Sequence, residues 1–429
     1  MTTLYNNARL LDPASGLDMI GALVVHEGKI AKVSNKVFVD SSRVDSDIID
    51  CGERCLAPGL VDMRAQVREP GNEHIENMSS AQKAAVAGGI TTFAPLPNTN
   101  PVIDDVSLLE FVQRRALEIG LANVHPYAAI TKGLRGHEIT EFGMLADSGA
   151  VAFTDGKHSV ANSLVMRRAL SYASMFKRTI VQHPEDPYLA SKGSANEGQT
   201  ATRLGLSGIP SAAEVIMLER DLRLVELTGG NYHAAHLSTA AAVEAIRQAK
   251  KRGLPVTCET APPYFALNED AIIGYRTFAR LSPPLRSEQD RLAVVAGLAD
   301  GTIDAIASDH DPHDPDRKNV PFSQAAPGGI GLETLLTISL ELVHTKAMKL
   351  IDLLQRLTVA PARILGLPYG TLKVGGDADL VIFDLNRIGK VAPERFASKS
   401  RNTPFDKRPI EGRVWRTVYR GNVVYDVEK

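Results

Sequence analysis

The spacing of hydrophobic and polar positions changes twice along the chain, and each change predicts a different kind of structure. The first 55 residues read as short apolar runs joined by turns. In ALVVHEGKIAKVS (22–34), two β-rich runs flank Glu27 and Gly28, which predicts a hairpin. From 56 to 365, short apolar runs alternate with longer segments of helical spacing. After 366, β-like runs return in TLKVGGDADLVIFDL and GRVWRTVYRGNVVYD.

The alternation in the middle of the chain predicts an α/β fold with a parallel sheet, because repeated strand–helix units place their strands side by side. About seven or eight such units over ~300 residues favour a (β/α)8 TIM barrel over an open sheet. The runs at the two termini can pair with each other. We therefore predict a barrel at 56–365 and one small β domain built from 1–55 and 366–429.

Polar residues follow several of the predicted barrel strands. They are Asn98, Asp155, His183, His236 and Asp309. The carboxyl ends of barrel strands meet at one rim, where barrel active sites lie. Carboxylates with imidazoles suit zinc, which lowers the pKa of a bound water, and Asp309 is placed to accept that water's proton.

Each of these residues also has a purely structural interpretation. His183 fits a buried histidine with satisfied hydrogen bonds. His233 and His236 of HAAH follow a strand, so only one of them can face the rim. The stretch SDHDPH fits a polar turn with helix-capping roles.

Composition narrows the function classes without selecting one. Hydrophobic residues make up 44% and charged residues 23% of 429 positions, and the net charge is −2. These values favour neither a nucleic-acid-binding nor a membrane-bound protein. The N-terminal sequence does not resemble a signal peptide, and no apolar run is long enough to span a bilayer. The three cysteines, Cys51, Cys55 and Cys258, favour a cytoplasmic location.

The stretch PGLVDMRAQVREPG, 58–71, places Arg64 and Gln66 at alternate positions of a predicted strand, so their side chains project the same way. Histidines at both positions would make a metal clamp. Arginine has no lone pair to offer a metal at biological pH, and an amide oxygen is a weak zinc ligand.

The ordered motifs of the chain resemble those of a known family. They are PGLVDM, QVREPG, GGITTFAPLPNT, TDG, HPED, LGLSGIPSAAE, HAAHLST, SPPLR, SDHDPH, GIGLET and KSRNTPF. Together they are similar to the longer, class I type of dihydroorotase in the amidohydrolase superfamily. The resemblance implies a (β/α)8 barrel with a small β-sandwich made from both termini. It also implies the zinc-dependent, reversible opening of dihydroorotate to carbamoyl aspartate in pyrimidine biosynthesis.

The resemblance assigns roles to individual residues of this chain. Asp155 matches an aspartate that touches both metals, and His183 and His236 match the ligands of the second metal. Asp309 matches the aspartate that binds metal and moves the proton. The positions that match groups contacting the substrate are Arg68, Asn98, His313 and Ser282, of which Ser282 replaces the family's asparagine.

The chain departs from the family at the first metal. The two histidines of the family's His-x-His are Arg64 and Gln66 here. Further metal-site or substrate-site positions of the family are also changed, at Thr154, Pro263 and Tyr264.

The change at Arg64 places a permanent positive charge where the family holds a metal ion. We expect Arg64 to repel a cation and to pair with Asp155 or Asp309. The remaining ligands would hold at most one zinc, at the second position, or none. The alternative is that Arg64 turns to solvent and leaves the site empty.

Three functions remain open from the sequence. The first is a catalytically silent homologue that scaffolds aspartate carbamoyltransferase, because the resemblance extends to members that have lost metal-binding histidines. The second is an active one-zinc cyclic amidohydrolase acting on dihydroorotate or a related ring. The third is a protein that binds carbamoyl aspartate or a similar anion without chemistry. We also expect a homo-oligomer.

Overall fold

The computed structural model describes residues 2–37 and 47–428, which form seventeen strands and fifteen α-helices. The strands are β1 Thr2–Asp12, β2 Leu17–His26, β3 Lys29–Ser34, β4 Asp47–Asp50, β5 Cys55–Pro58, β6 Leu60–Ala65, β7 Ile90–Pro95, β8 Asn123–Val124, β9 Ile180–Gln182, β10 Ala195–Asn196, β11 Gly208–Ile209, β12 Tyr232–Ala234, β13 Val256–Thr260, β14 Ala305–Ile306, β15 Leu380–Lys390, β16 Pro409–Tyr419 and β17 Asn422–Asp426.

Ten of the helices lie between barrel strands, as the alternating pattern predicts, and the last five follow β14. They are α1 Met78–Ala87, α2 Val106–Ile119, α3 Phe142–Asp147, α4 Ser163–Met175, α5 Pro187–Ala190, α6 Gln199–Leu204, α7 Ala212–Thr228, α8 Ala240–Lys251, α9 Pro262–Ala266, α10 Glu288–Asp300, α11 Pro315–Lys318, α12 Leu335–Ser339, α13 Glu341–His344, α14 Leu350–Leu357 and α15 Val359–Ile364.

The central strands form a closed parallel barrel. Strands β6, β7 and β8 pair in one run, and β9, β12, β13 and β14 pair in another. Parallel bridges join the two runs: Ala128 to Phe153, Phe153 to Ile180, and Ala65 to His310. The ring therefore has eight strand positions, and the predicted (β/α)8 barrel is confirmed.

Helix α8 shows how one apolar face positions a helix against the barrel. In α8, the side chain of Thr239 caps the first turn by accepting from the backbone N–H of Ala242, and two lysines lie in the last turn. The buried residues Ala242, Val243, Ile246 and Ala249 recur at helical spacing and face the barrel. Its polar positions face solvent.

Strands from both termini form one eight-stranded sheet, in the order β17-β16-β15-β5-β1-β2-β3, with β4 beside β1. Its own core includes Tyr5, Leu10, Leu23, Leu56 and Ile382. The hairpin predicted at 22–34 is present as β2 and β3, in which His26 pairs with Lys29.

One strand crosses the boundary predicted at residue 55. β5 pairs with β1 and β15 in the terminal sheet and ends at Pro58, and β6 begins the barrel at Leu60. The intervening Gly59 packs so tightly that an added Cβ would lie 2.0 Å from Thr91 Oγ1. The domain limits predicted from the sequence, at 55/56 and 365/366, stay a prediction. In the part of the chain that the structure describes, no helix is long and apolar enough to cross a membrane.

Candidate active site

The predicted rim residues lie at the carboxyl ends of several barrel strands. Arg64 lies at the end of β6, His183 directly follows β9, and His236 lies two residues beyond β12. Asp309 follows β14, next to the bridge that joins His310 to Ala65, and this bridge brings Asp309 beside Arg64. Strand order alone therefore gathers these side chains at one rim.

Arg64 is buried and forms an ion pair with the partly exposed Asp309. Arg64 Nε donates to Asp309 Oδ1 at 3.0 Å, and Arg64 Nη2 donates to the carbonyl of Gly156 at 3.0 Å. The Arg64 side chain is only 1% exposed, so the interpretation that it turns to solvent is wrong. Burial alone would raise the pKa of Asp309, but His236, Arg64 and Lys157 outweigh it and hold that pKa well below its usual range.

His183 and His236 face each other across the same rim. His183 Nδ1 lies 2.6 Å from His236 Nε2, and the ring planes are 87° apart. The other ring nitrogen of His236, Nδ1, lies 3.3 Å from Asp309 Oδ1. Burial, with the charge of Arg64, lowers the pKa of His236 to about 4. The rings are therefore joined by one hydrogen bond, in which one ring donates and the other accepts.

The backbone is strained at two of these positions. His236 has φ 37° and Asp309 has φ 47°, both in the left-handed region that non-glycine residues rarely adopt. Such strain costs on the order of 1 kcal/mol or more per residue and clusters at functional sites. The surrounding packing holds both side chains in place against this cost.

The carboxylate of Asp155 is hydrogen-bonded to Thr131. Its Oδ1 accepts from the backbone N–H of Thr131 at 2.9 Å, and its Oδ2 accepts from the Thr131 hydroxyl. Burial raises the pKa of Asp155 to about 6, against the opposing effect of these two hydrogen bonds. Asn98 contacts the same residue through the backbone, because Asn98 Nδ2 donates to the carbonyl of Asp155 at 3.2 Å.

The side chains at the rim do not fit the predicted zinc ion. Two imidazole nitrogens bound to one tetrahedral zinc at ~2.05 Å lie about 3.3 Å apart, whereas those of His183 and His236 are 2.6 Å apart. Both oxygens of Asp155 are bonded to Thr131, and Asp309 is paired with a guanidinium. Within residues 2–37 and 47–428, no three His, Cys, Asp or Glu side chains are grouped as ligands of one metal ion.

Two of the residues predicted to hold a substrate carboxylate hold a side chain of this protein instead. Arg68 Nη2 donates to Asp311 Oδ1 at 2.5 Å, and Arg68 Nε donates to the carbonyl of Pro312 at 3.2 Å. His313 Nε2 lies 3.1 Å from Asp311 Oδ2 and 3.0 Å from the carbonyl of Pro327. Both contacts require that Nε2 carries the proton of the ring.

The positions at which the chain departs from the family line the same rim, with the exception of Ser282. Gln66 Nε2 donates to the carbonyl of Asn98 at 2.9 Å, and Thr154 Oγ1 accepts from the backbone N–H of Gly156 at 3.0 Å. The ring of Tyr264, which follows Pro263 in α9, lies 6.4 Å from that of His236. Ser282 is partly exposed, and its hydroxyl has no hydrogen bond to another predicted site residue in the described chain.

Three residues of the site were not predicted as site residues. Lys157 donates to Asp311 and, at 3.3 Å, to the carbonyl of Pro327. Burial lowers the pKa of Lys157 to about 7, although Asp309 opposes the shift. Lys157 directly follows TDG and Asp311 lies within SDHDPH, so charged residues inside these motifs were the available signal. Thr131 carries no such signal.

Comparison with known proteins gives consistent matches over the chain. Residues 53–242 match the family model "Dihydro-orotase-like", and residues 341–425 match "Amidohydrolase family". The chain is 46% identical to a dihydroorotase of Anaeromyxobacter dehalogenans (strain 2CP-1), over 98% of this chain and 97% of that protein. It is 44% identical to a dihydroorotase of Anaplasma phagocytophilum, over 100% of this chain and 96% of that protein.

Solved structures show the same architecture. The L-hydantoinase (dihydropyrimidinase) from Arthrobacter aurescens superposes with a TM-score of 0.87 at 26% identity, over 99% of this chain and 96% of that chain. The dihydropyrimidinase from Brevibacillus agri NCHU1002 superposes with a TM-score of 0.85 at 21% identity, over 100% and 96%. Amidohydrolases of this kind combine a TIM barrel with a β-sandwich from both termini and are typically metal-dependent. The identity to curated dihydroorotases spans almost the whole chain, and the protein therefore belongs to the dihydroorotase family of the amidohydrolase superfamily.

Proposed function

We propose that this chain is a dihydroorotase-family protein of pyrimidine biosynthesis that is catalytically silent. The observation that carries the proposal is the ion pair of the buried Arg64 with Asp309. In the reaction that the family resemblance implies, Asp309 holds metal and moves a proton. Here its carboxylate is bonded to a guanidinium, which is a permanent cation and cannot bind or activate water as a Lewis acid.

The other groups at the rim support the same conclusion. The carboxylate of Asp155 is committed to Thr131, and Arg68 and His313 are committed to Asp311. A group that moves a proton must come within hydrogen-bonding reach of the reacting atom. Every one of these side chains instead has a partner within the protein.

The role that fits a silent member is structural. We infer that the chain scaffolds aspartate carbamoyltransferase, whose product, carbamoyl aspartate, is the open-chain substrate of the family reaction. The support is the resemblance to members without the metal-binding histidines, together with the presence of both the barrel and the terminal sheet in the described residues.

Activity and association test the two parts of the proposal separately. The purified chain, supplied with zinc, is assayed for dihydroorotate hydrolysis beside an Asp309→Ala control prepared in the same way. We expect equal background rates, and a rate that disappears in the control would contradict the silent site. The chain is then mixed with aspartate carbamoyltransferase from the same organism on a sizing column. We expect co-elution, and separate elution would contradict the scaffold.

The facing rings of His183 and His236 favour the alternative of a one-zinc cyclic amidohydrolase, although their nitrogens now lie too close together for zinc. The nitrogens of His183 and His236 point at each other, and Asp309 lies beside them. A small outward rotation of either ring would separate the nitrogens to the distance that zinc needs. Hydrolysis by the wild type that is lost in both Asp309→Ala and His183→Ala would establish this alternative.

A further inference from the structure

The carboxylate of Asp311 is surrounded by nitrogen donors at the barrel rim. Arg68 Nη2 donates to Oδ1 at 2.5 Å, Lys157 Nζ donates to Oδ2, and His313 Nε2 donates to Oδ2 at 3.1 Å. The Asp311 side chain is 2% exposed. Arginine, lysine and one neutral imidazole thus converge on one carboxylate, which is the donor set expected for a bound small carboxylate.

We propose that Asp311 is a built-in occupant of the anion subsite and excludes external carboxylates from it. The inference deepens the proposed silent function, on which it rests, by naming the ligand class that the rim would otherwise bind. Arg68 and His313 are the groups that the family resemblance assigns to a substrate carboxylate, and the geometry shows them holding a carboxylate of the chain itself.

The donors come from separate parts of the barrel, which distinguishes this cluster from an ordinary surface ion pair. Arg68 follows β6, Lys157 follows the strand position at Phe153, and His313 follows β14. Such a convergence across the rim is how ligands are held in barrels, because no single strand could supply all the contacts. Asp311 fills the point at which they meet.

The backbone around Asp311 is shaped to admit its carboxylate. At Gly328, φ is +127° and an added Cβ would lie 1.8 Å from Asp311 Oδ2, so only glycine fits. Asn402, from the segment after the barrel, donates Nδ2 to the carbonyls of Asp311 and Gly328, at 3.0 and 3.2 Å. The loop that carries Asp311 is therefore anchored on both sides.

Unsatisfied polar atoms remain beside the cluster. Asn98 Oδ1 and His313 Nδ1 are buried and have no hydrogen-bond partner among the described residues. Buried polar atoms without partners are uncommon in protein cores, so each needs an explanation, and a ligand-binding role is one such explanation. Removal of the Asp311 carboxylate would thus leave a polar pocket in which Arg68 and Lys157 have lost the carboxylate they are bonded to, while the charge of Asp309 still acts on Lys157.

The test is the binding of small carboxylates to the full chain by titration calorimetry, with malonate and carbamoyl aspartate as probes and malonamide as the uncharged control. We expect no saturable binding to the wild type at millimolar concentrations. We expect Asp311→Ala to bind both carboxylates roughly tenfold or more tightly, and not malonamide. The matched control is Asp316→Ala, which removes an exposed aspartate of α11 nearby.

Two further variants locate the binding and guard against misfolding. Adding Arg68→Ala to Asp311→Ala is expected to abolish the gained binding, and an undiminished affinity would overturn the assignment. If Asp311→Ala does not fold, Asp311→Asn removes the charge at nearly constant volume. Its side chain still fills the subsite, so we expect it to bind the probes more tightly than the wild type but less tightly than expected for Asp311→Ala. Equal affinity of wild type and Asp311→Asn would also overturn it.

The outcomes separate this inference from the silent-enzyme proposal. Dihydroorotate hydrolysis by the wild type would contradict both, because the substrate carboxylate must then enter the rim. A wild type without activity that nevertheless binds malonate would contradict only the role of Asp311. A silent wild type whose Asp311→Ala variant gains carboxylate binding supports both.

Discussion

Replacement of Arg64 by methionine tests whether its charge stabilises the rim. The substitution keeps most of the side-chain volume but removes a guanidinium that is 1% exposed and makes two 3.0 Å hydrogen bonds. Breaking a buried ion pair by removing one partner costs ~3–5 kcal/mol. Asp309 is 17% exposed and keeps His236 at 3.3 Å, so the lower end of that range applies. We expect Arg64→Met to lower the free energy of unfolding by about 3 kcal/mol.

A double-mutant cycle isolates the pair from other effects of the substitution. Asp309→Asn alone leaves a buried guanidinium without its carboxylate, whereas the double variant leaves neither charge. We therefore expect the double variant to lose less stability than the sum of the two single variants, by about 2 kcal/mol. The four proteins are compared by chemical denaturation followed with far-UV circular dichroism, which reports mainly on the barrel helices.

The choice of signal matters because the single tryptophan, Trp415, lies in β16 of the terminal sheet and would report on that sheet. A large chain with two cores need not unfold in one step, so the transition of the barrel must be followed directly. A loss below ~0.5 kcal/mol in Arg64→Met, or strictly additive effects in the cycle, would refute the reasoning.

Three other substitutions have expected outcomes. Gly328→Ala should lower the free energy of unfolding by about 2 kcal/mol or more, because its Cβ would collide with the Asp311 carboxylate. The loss should be smaller in an Asp311→Ala background, and equal losses in the two backgrounds would contradict this reason. Thr131→Val should cost about 1–3 kcal/mol in chemical denaturation because Asp155 loses a buried donor, whereas Thr131→Ser should cost little; similar losses in both would count against this. Burial, assisted by the charge of Arg280, lowers the pKa of Lys318 to about 7. Between pH 7 and 10 the unfolded chain therefore binds more protons than the folded chain, and the free energy of unfolding of the wild type should rise with pH relative to that of Lys318→Met. Parallel pH profiles of the two proteins would contradict this.

The barrel and the position of the rim were predictable because they follow from the period of the sequence. Alternating strand and helix patterns fix the order of parallel strands, and that order alone brings Arg64 and Asp309 together. The charge of Arg64 then predicted a carboxylate partner, and the structure pairs it with Asp309.

The contacts made by loops were not predictable in this way. The bonds of Asp155 to Thr131 and of Lys157 to Asp311 join residues whose separation in sequence gives no periodic signal. The rotation of the Asp155 side chain depends on which donor lies nearest after folding, and no pattern in the sequence records that donor. No pattern in the sequence therefore indicates that Asp155, which was predicted to hold metal, is bonded to Thr131.

The most direct test of the central claim is the amount of zinc retained by the purified chain after metal loading and gel filtration. The account predicts that the wild type retains no more zinc than a variant carrying His183→Ala and His236→Ala. The reason is that Arg64 is paired with Asp309, the carboxylate that a metal would need. It also predicts that Arg64→His with Gln66→His raises the retained zinc, since two imidazoles then project from one strand. Retention of about one zinc per wild-type chain, lost in the histidine variant, would contradict the account.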